Sequence, residues 1–464
     1  MSRKSRRAIV VVSALLLLVA GVGMALFLTN RREVTTTSAE AYQAYRQAIA
    51  DERRFYSKEA RVGFARAVEL DPSFVEAMLG LARQSDRDQA ISLTERAGRL
   101  RDRLTDRERM HVDMQLAAVK GERQKMMDIA RSIHAKYPED IRAAMALAHN
   151  EIATGHTEKA LAIFADLLAI EPNNADAYNQ IGYFYGYRGD YEKAIDNLKK
   201  YAFMAPDQAN PFDSLGEIEA YSGRYDEAIA HLKQALAIKP DFFEAYGHLG
   251  VAYEGKGDYP AAIQNYTRAA EDSPTDSQRR GSLARALRVC LESGDRAAAE
   301  KIVARMASLP PDKRFDFVKP FAQAALALVD GKPAEAERLL MEMRPKALEY
   351  LSAEIKDPSY KPYLADWNFL MAHAKVALGK TEEAMALYDE MIHPPNPWSN
   401  FEGRRWVYEA RARQAELLAR QGNLDKAEQL LAENHKWNPS WAPSRPAELA
   451  VAQLRREKVL AAEK

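Results

Sequence analysis

Residues 243–276 read FEAYGHLGVAYEGKGDYPAAIQNYTRAAEDSPTD, and residues 175–208 read ADAYNQIGYFYGYRGDYEKAIDNLKKYAFMAPDQ. Small, aromatic and proline positions fall in one register in both. Working outward, Pro138, Pro172, Pro206, Pro240 and Pro274 stand 34 residues apart, and Gly121, Gly155, Gly189, Gly223 and Gly257 repeat at the same spacing. A period of about 20 to 50 residues marks an array whose units bury their apolar faces only against their neighbours. Glycine accepts the left-handed conformation that follows a helix, and proline cannot continue helical hydrogen bonding. Each unit therefore predicts two antiparallel helices, with the glycine between them and the proline after the second.

Tyr178, Ile181, Gly182, Tyr185, Gly189, Ala194, Leu198 and Pro206, and again Tyr246, Leu249, Gly250, Tyr253, Gly257, Ala262, Tyr266, Ala269 and Pro274, follow one order of residue types. That order resembles the tetratricopeptide repeat family, bacterial membrane-anchored type, over five gap-free units spanning 107–276. The resemblance implies an all-α fold, a right-handed superhelical solenoid of helix pairs. Small residues are needed where paired helices cross closely, and Gly182, Gly216, Gly250 and Ala148 supply them on first helices. Ala160, Ala194, Ala228 and Ala262 answer on second helices, with Phe164, Tyr185, Tyr253 and Tyr266 filling the volume beside them.

The flanks are less regular. Residues 41–106 read as degenerate repeats, Phe64, Ala67 and Pro72 fitting the second half of one of them. In residues 277–445, Gly294, Gly331, Gly379 and Gly422 are each followed five residues later by Ala299, Ala336, Ala384 and Ala427, which marks divergent pairs. Insertions interrupt them around 346–364 and 394–407. Residues 446–464 read as a polar capping helix for the exposed end of the array.

Before the array, a basic segment at 1–7 precedes 21 uncharged residues at 8–28, and a linker at 29–40 follows. At about 1.5 Å per residue the uncharged run spans about 31 Å, close to the ~30 Å hydrocarbon core of a bilayer. It reads as a transmembrane helix contacting lipid. A cleaved signal peptide, whose apolar region is usually ~7 to 15 residues, is the competing reading. Arg3, Lys4, Arg6 and Arg7 precede the run and Arg31 and Arg32 follow it. That excess favours a cytoplasmic N-terminus with the array outside, in the periplasm of a Gram-negative cell. An array facing the cytoplasm is the alternative.

Sixty-six basic and sixty-six acidic residues cancel, and no basic stripe offers itself to nucleic acid. Cys290 is the single cysteine, so neither an internal disulfide nor a thiolate-rich metal site can form. No phosphate loop, dinucleotide fingerprint or nucleophile elbow occurs, and His149 and His156 lack a metal-binding context. Neither cofactor nor metal is expected, and the chain does not read as an enzyme.

The resemblance also implies which residues face the concave groove. Asp176, Asn179, Tyr183, Tyr187, Asn210, Asp213, Glu217, Tyr221, Glu244, Val251 and Glu254 fall on those positions, as do Glu108, His111, Gln115, Arg142, Met145 and His149 further upstream. The acidic set, interleaved with tyrosine and asparagine, suits a basic protein or peptide partner held by charge and aromatic contact. The carboxylate-gripping Lys and Asn of chaperone adaptors are absent, since His111 and Gln115, Met145 and His149, or Asn179 and Tyr183 stand in their places. The expected function is a membrane-anchored scaffold for protein–protein interaction in envelope assembly, secretion or quality control. A cytoplasm-facing regulatory or sensor subunit, and a periplasmic protein released by signal cleavage, are the alternatives.

Overall fold

The computed structural model describes residues 34–154, 156–310, 318–354, 364–394 and 401–462. The membrane helix expected at 8–28 lies outside them. Among the described residues no helix is long and apolar enough to cross a membrane.

The described chain is helical, with no strand. Two helix pairs come first: α1 (Ala39–Arg53) with α2 (Ser57–Leu70), and α3 (Val75–Arg83) with α4 (Arg87–Gly98). The regular units follow as α5 (Asp106–Val119) and α6 (Arg123–Lys136), α7 (Ile141–Ala153) and α8 (Thr157–Ile170), α9 (Ala175–Arg188) and α10 (Tyr191–Met204), α11 (Ala209–Tyr221) and α12 (Tyr225–Ile238), and α13 (Phe243–Lys256) and α14 (Tyr259–Asp272). Downstream come α15 (Asp276–Ser293) and α16 (Arg296–Ser308), α17 (Val318–Val329) and α18 (Pro333–Glu354), α19 (Ala365–Ala377) and α20 (Thr381–Ile392), and α21 (Phe401–Arg420) and α22 (Leu424–His435). The last helix, α23 (Arg445–Ala462), covers α21 and α22 through Ala447 and Val451. Part of each sequence insertion is helix: residues 346–354 continue α18, and 401–407 open α21.

The period acts through backbone geometry. Gly189 and Gly257 sit at φ 82° and 83°, a conformation L side chains rarely adopt, and there α9 and α13 end. Second helices stop two residues before each ladder proline, as α10 does at Met204 before Pro206. The residue before a proline is pushed out of the helical region, which fixes that stop.

Packing explains the small residues. A Cβ on Gly250 would lie 2.6 Å from the Tyr266 ring, and one on Gly216 would lie 2.5 Å from Leu232 Cγ. Tyr266, Phe164, Ala194, Ala228 and Ala262 are fully buried at these crossings. Gly250→Leu must therefore push α13 off α14, and overpacking of this kind costs about 1 to 3 kcal/mol. A lowered melting temperature is expected by circular dichroism; an unchanged one would contradict the crossing.

The solenoid winds tightly enough for its ends to meet its middle. On one side, Tyr56 after α1 stacks edge-on against Phe242 at 6.2 Å, and Lys239 Nζ lies 2.5 Å from Glu59 on α2. Lys58 reaches Asp241 at 3.6 Å, and Arg61 donates to the Pro274 carbonyl at 3.5 Å. On the other side, Arg404 donates to the Gly186 carbonyl at 3.0 Å, and Tyr225 Oη donates to Asn438 Oδ1 at 3.0 Å. Trp437 packs over Gly189, where a Cβ would strike its ring, and the Arg404 guanidinium lies over that ring at 4.4 Å from its centroid. The N-terminal pair thus sits against the turns between units, and the C-terminal segment against the turns within them.

Candidate functional site

Between α1 and the N-terminal halves of α3, α5, α7 and α9 lies a cavity of about 670 Å³. Helix starts build its floor. Asp140 caps α7 by accepting from Ala143 N at 3.1 Å, and Asn174 caps α9 by accepting from Ala177 N at 2.9 Å. Thr105 and Glu108 cap α5 reciprocally, a capping box, and the Glu108 carboxylate also accepts from Thr35 N at 2.6 Å. The linker ahead of α1 is therefore strapped to the start of the regular array.

A buried ionic cluster lies beneath the cavity. His111 Nδ1 is 2.8 Å from Glu76 and Nε2 is 2.8 Å from Asp140, so a doubly protonated ring satisfies both carboxylates. Burial opposes that charge, yet the hydrogen bonds to Asp140 and Glu76 prevail and raise the His111 pKa. Arg142 donates to Glu76 at 3.0 Å and lies 2.7 Å from His111 Nδ1, so Glu76 bridges two cations. Burial likewise disfavours the Glu76 carboxylate, but Arg142 and His111 hold it well below the usual range. Asp140 is held low in the same way, against burial, by His111, Arg142 and Arg107, whose guanidinium donates to it at 2.7 and 2.9 Å. These charges answer one another and tie α3, α5 and α7 into register.

Other groups on the cavity wall are uncompensated. Arg46 and Arg53 on α1 line it with no ion pair, whereas the neighbouring Arg83 is held bidentately by Glu52 at 3.0 and 2.9 Å. Across from them, Asn179 is 2% exposed, and its Oδ1 has no hydrogen-bond partner. Asp176 beside it has its pKa raised by burial, with Arg53 pulling the other way. Tyr42, Ile49 and Met145 complete an apolar wall.

Most of the remaining sequence-predicted groove residues are engaged within the chain, though the buried Glu244 Oε2 has no hydrogen-bond partner. Asn210 donates to Tyr201 Oη at 3.0 Å, and Tyr183 Oη donates to Glu217 at 2.6 Å. Asp213 is buried and takes His248 Nδ1 at 2.8 Å, while His248 Nε2 lies 3.5 Å from Glu217. Glu254 is 1% exposed and accepts from Arg288, from Tyr266 Oη at 2.9 Å and from Arg405 at 3.5 Å. Tyr221 is buried, and Tyr187 lies beside Tyr183 with ring centroids 6.2 Å apart. Glu244 is half-buried, and burial reinforced by the Asp213 carboxylate pushes its pKa up to about 8. Of the acidic set expected to meet a basic ligand, Asp213, Glu217 and Glu254 thus already face His248, Arg288 and Arg405 of the chain. Of the ten residues, Asp176 and Asn179 line the cavity.

Arg46 and Arg53 escaped sequence reading because they lie on α1, in the degenerate stretch ahead of the five regular units. Upstream groove positions gave the other wall, since His111, Arg142 and Met145 all fall there.

Fold and site together define a helical-repeat scaffold enclosing a polar-lined cavity. Family models described as tetratricopeptide repeat match residues 163–196 and 243–276, and one described as TPR repeat matches 216–257. The chain carries tetratricopeptide repeats, a fold that serves protein–protein interaction, and no enzyme family is indicated. No curated protein matches it. Among solved structures it is similar to the APC/C hetero-tetramer Cut9–Hcn1, at 16% identity and TM-score 0.47, covering 95% of this chain and 81% of that one. It is also similar to MamA, at 23% identity and TM-score 0.28 over 34% of this chain and 93% of that one. A tetratricopeptide repeat protein from Parabacteroides merdae is 12% identical with TM-score 0.38, over 65% of this chain and 97% of that one. These likenesses concern the fold alone.

Proposed function

We propose that the chain is a membrane-tethered scaffold that recruits a protein partner through the inner wall of its repeat array, with residues 8–28 as the anchor and the array on the extracytoplasmic side. Envelope assembly, secretion or quality control is the setting that this placement suits. The observation that carries the recruiting role is the cavity itself, where Arg46 and Arg53 line the wall with no ion pair and the buried Asn179 Oδ1 has no hydrogen-bond partner. Unmatched polar groups at a concave surface give a ligand both attraction and orientation. The uncharged run of 21 residues, flanked by four basic residues before it and two after, supports the anchor and its direction.

Paired reporters fused after Lys464 test the placement, one active only in the cytoplasm and one only outside it. Activity from the outer reporter alone, in membranes that retain the chain after carbonate washing, is the expected result. Activity from the cytoplasmic reporter alone would reverse the topology, and release by carbonate would remove the anchor.

A further inference from the structure

We propose that the contact between the start of α2 and the α12–α13 turn is an ionic latch, whose release swings α1 and α2 away from that turn and widens the cavity between α1 and α9. The inference goes beyond the scaffold reading and does not depend on which partner the chain recruits. Five charges carry it. Glu59, Lys239, Asp241, Lys58 and Asp272 alternate in sign across the junction. Lys239 Nζ lies 2.5 Å from Glu59 and 2.7 Å from Asp241, and Lys58 Nζ lies 3.6 Å from Asp241 and 3.8 Å from Asp272. Arg61, one turn further along α2, donates to the Pro274 carbonyl at 3.5 Å. Glu59 and Lys239 stand 180 residues apart in sequence, so the latch joins two distant points of the winding.

The junction is built to part. Side chains of Lys58, Glu59 and Asp241 are 38%, 42% and 41% exposed, so water and salt reach them. Contacts between half-exposed charges are weak one by one and are screened by salt. Tyr56 and Phe242 add an edge-on aromatic contact, with the Lys239 ammonium 4.9 Å from the Tyr56 ring centroid. The C-terminal junction is of another kind. Asn438, Trp441 and Ala442 are buried there, and Tyr225 Oη donates to Asn438. An added Cβ on Gly189, Gly223 or Gly257 would lie 2.3, 2.7 or 3.3 Å from Trp437, Asn438 or Ala442. Buried and closely packed, that junction is insensitive to salt, and motion concentrates at the ionic one. Ala48 of α1 and Ala60 and Phe64 of α2 share one buried cluster, so the two helices move together. Arg53, near the end of α1, faces Asp176 of α9 across the cavity, and the two separate when the latch opens.

Double electron–electron resonance on the full chain in detergent micelles tests this. Nitroxides are placed at Val62→Cys on α2 and Gln264→Cys on α14, both exposed, in a Cys290→Ala background that removes the buried native thiol. A second pair, Gln264→Cys with Leu449→Cys on α23, spans the C-terminal junction. Raising salt from about 10 mM to about 1 M shortens the screening length from about 30 Å to about 3 Å. The fraction of chains at a longer 62–264 distance is expected to rise about fivefold or more, while the 264–449 distance holds. Lys239→Glu is expected to produce the longer distance at low salt, because it places like charge beside Glu59 and Asp241. Adding Glu59→Lys is expected to return the short distance, since cations of α2 then face anions of the turn. The salt titration leaves the latch residues unchanged, so it decides even where Lys239→Glu fails to fold. A 62–264 distance indifferent to salt or to Lys239→Glu, or a 264–449 distance that lengthens as much, would overturn the latch.

Discussion

Arg288→Met is expected to destabilise the array by about 3 to 5 kcal/mol, the cost of breaking a buried ion pair from one side. Arg288 is 6% exposed and Glu254 1%, and Arg288 donates to the Glu254 carboxylate across the α13–α15 contact. Arg405 of α21 reaches the same carboxylate at 3.5 Å, and Arg288 also packs over the Trp406 ring at 5.7 Å. A second set of charges adjoins the first. Glu292 pairs with Arg413 and lies 3.4 Å from His373, and Arg413 Nε donates to Glu409 at 3.0 Å. Methionine fills most of the volume that Arg288 vacates and leaves Glu254 with one guanidinium instead of two.

The pH dependence identifies the cause. Burial disfavours the Glu254 carboxylate, and Arg288 and Arg405 outweigh it, so its pKa lies below the ordinary value. An acid with a depressed folded pKa adds stability that is present above its unfolded pKa and lost as pH falls through the folded one. Without Arg288 that contribution shrinks or reverses. The deficit of the variant should therefore be largest at neutral pH and narrow toward pH 4. Adding Glu254→Gln should recover part of the loss, because it removes the stranded charge. Urea unfolding of the parent chain and both variants checks this, and a deficit below about 1 kcal/mol at neutral pH would show that the network carries little.

Raising the pH from 6 to 9 is expected to lower the stability of the array by on the order of 3 kcal/mol through His248 alone. Burial works against protonation of His248, and Arg285 does too, but the carboxylates of Asp213 and Glu217 push its pKa up from 6.5 to about 9. A base with a raised folded pKa contributes stability fully present below about 6.5 that disappears as pH climbs through 9. Glu244 acts in the same direction. Its proton is held in the folded state up to about pH 8, so folding loses ground between its ordinary pKa of 4.5 and that value. His248→Gln should remove about half of the slope between pH 6.5 and 8 and most of it between 8 and 9, leaving the comparable slope from Glu244 below pH 8. Melting temperatures that stay constant from pH 6 to 9 in the parent chain would refute the assignment.

The helix pairs were legible in the sequence because their determinants are local. Gly189 and Gly257 impose a left-handed residue, Pro206 and Pro274 forbid continuation, and Gly250 faces Tyr266 within one unit of the repeat. The site was half legible. Asp176, Asn179, His111 and Arg142 fall on inner-face positions that the repeat register identifies, and they do line the cavity. Arg46 and Arg53 lie in the degenerate stretch ahead of the five regular units, and their approach to α9 depends on how the solenoid winds. That winding is the sum of small rotations between neighbouring units, and no single residue encodes it. The same reason hid the Arg405 contact with Glu254 and the seat of Trp437 over Gly189. Acidic positions that looked open in one repeat meet cations 35 to 151 residues away, from Asp213 with His248 to Glu254 with Arg405.

Site-specific photo-crosslinking in intact cells tests most directly whether the inner wall near α1 is the partner surface. A benzophenone side chain replaces Met145 on the cavity wall in one full-length chain, and Phe203, 87% exposed on α10, in another. A protein adduct from position 145 that disappears in the Arg46→Glu, Arg53→Glu background, with none from position 203, is the result predicted. Adducts from position 203 with none from 145, or an adduct at 145 indifferent to the two reversals, would contradict it.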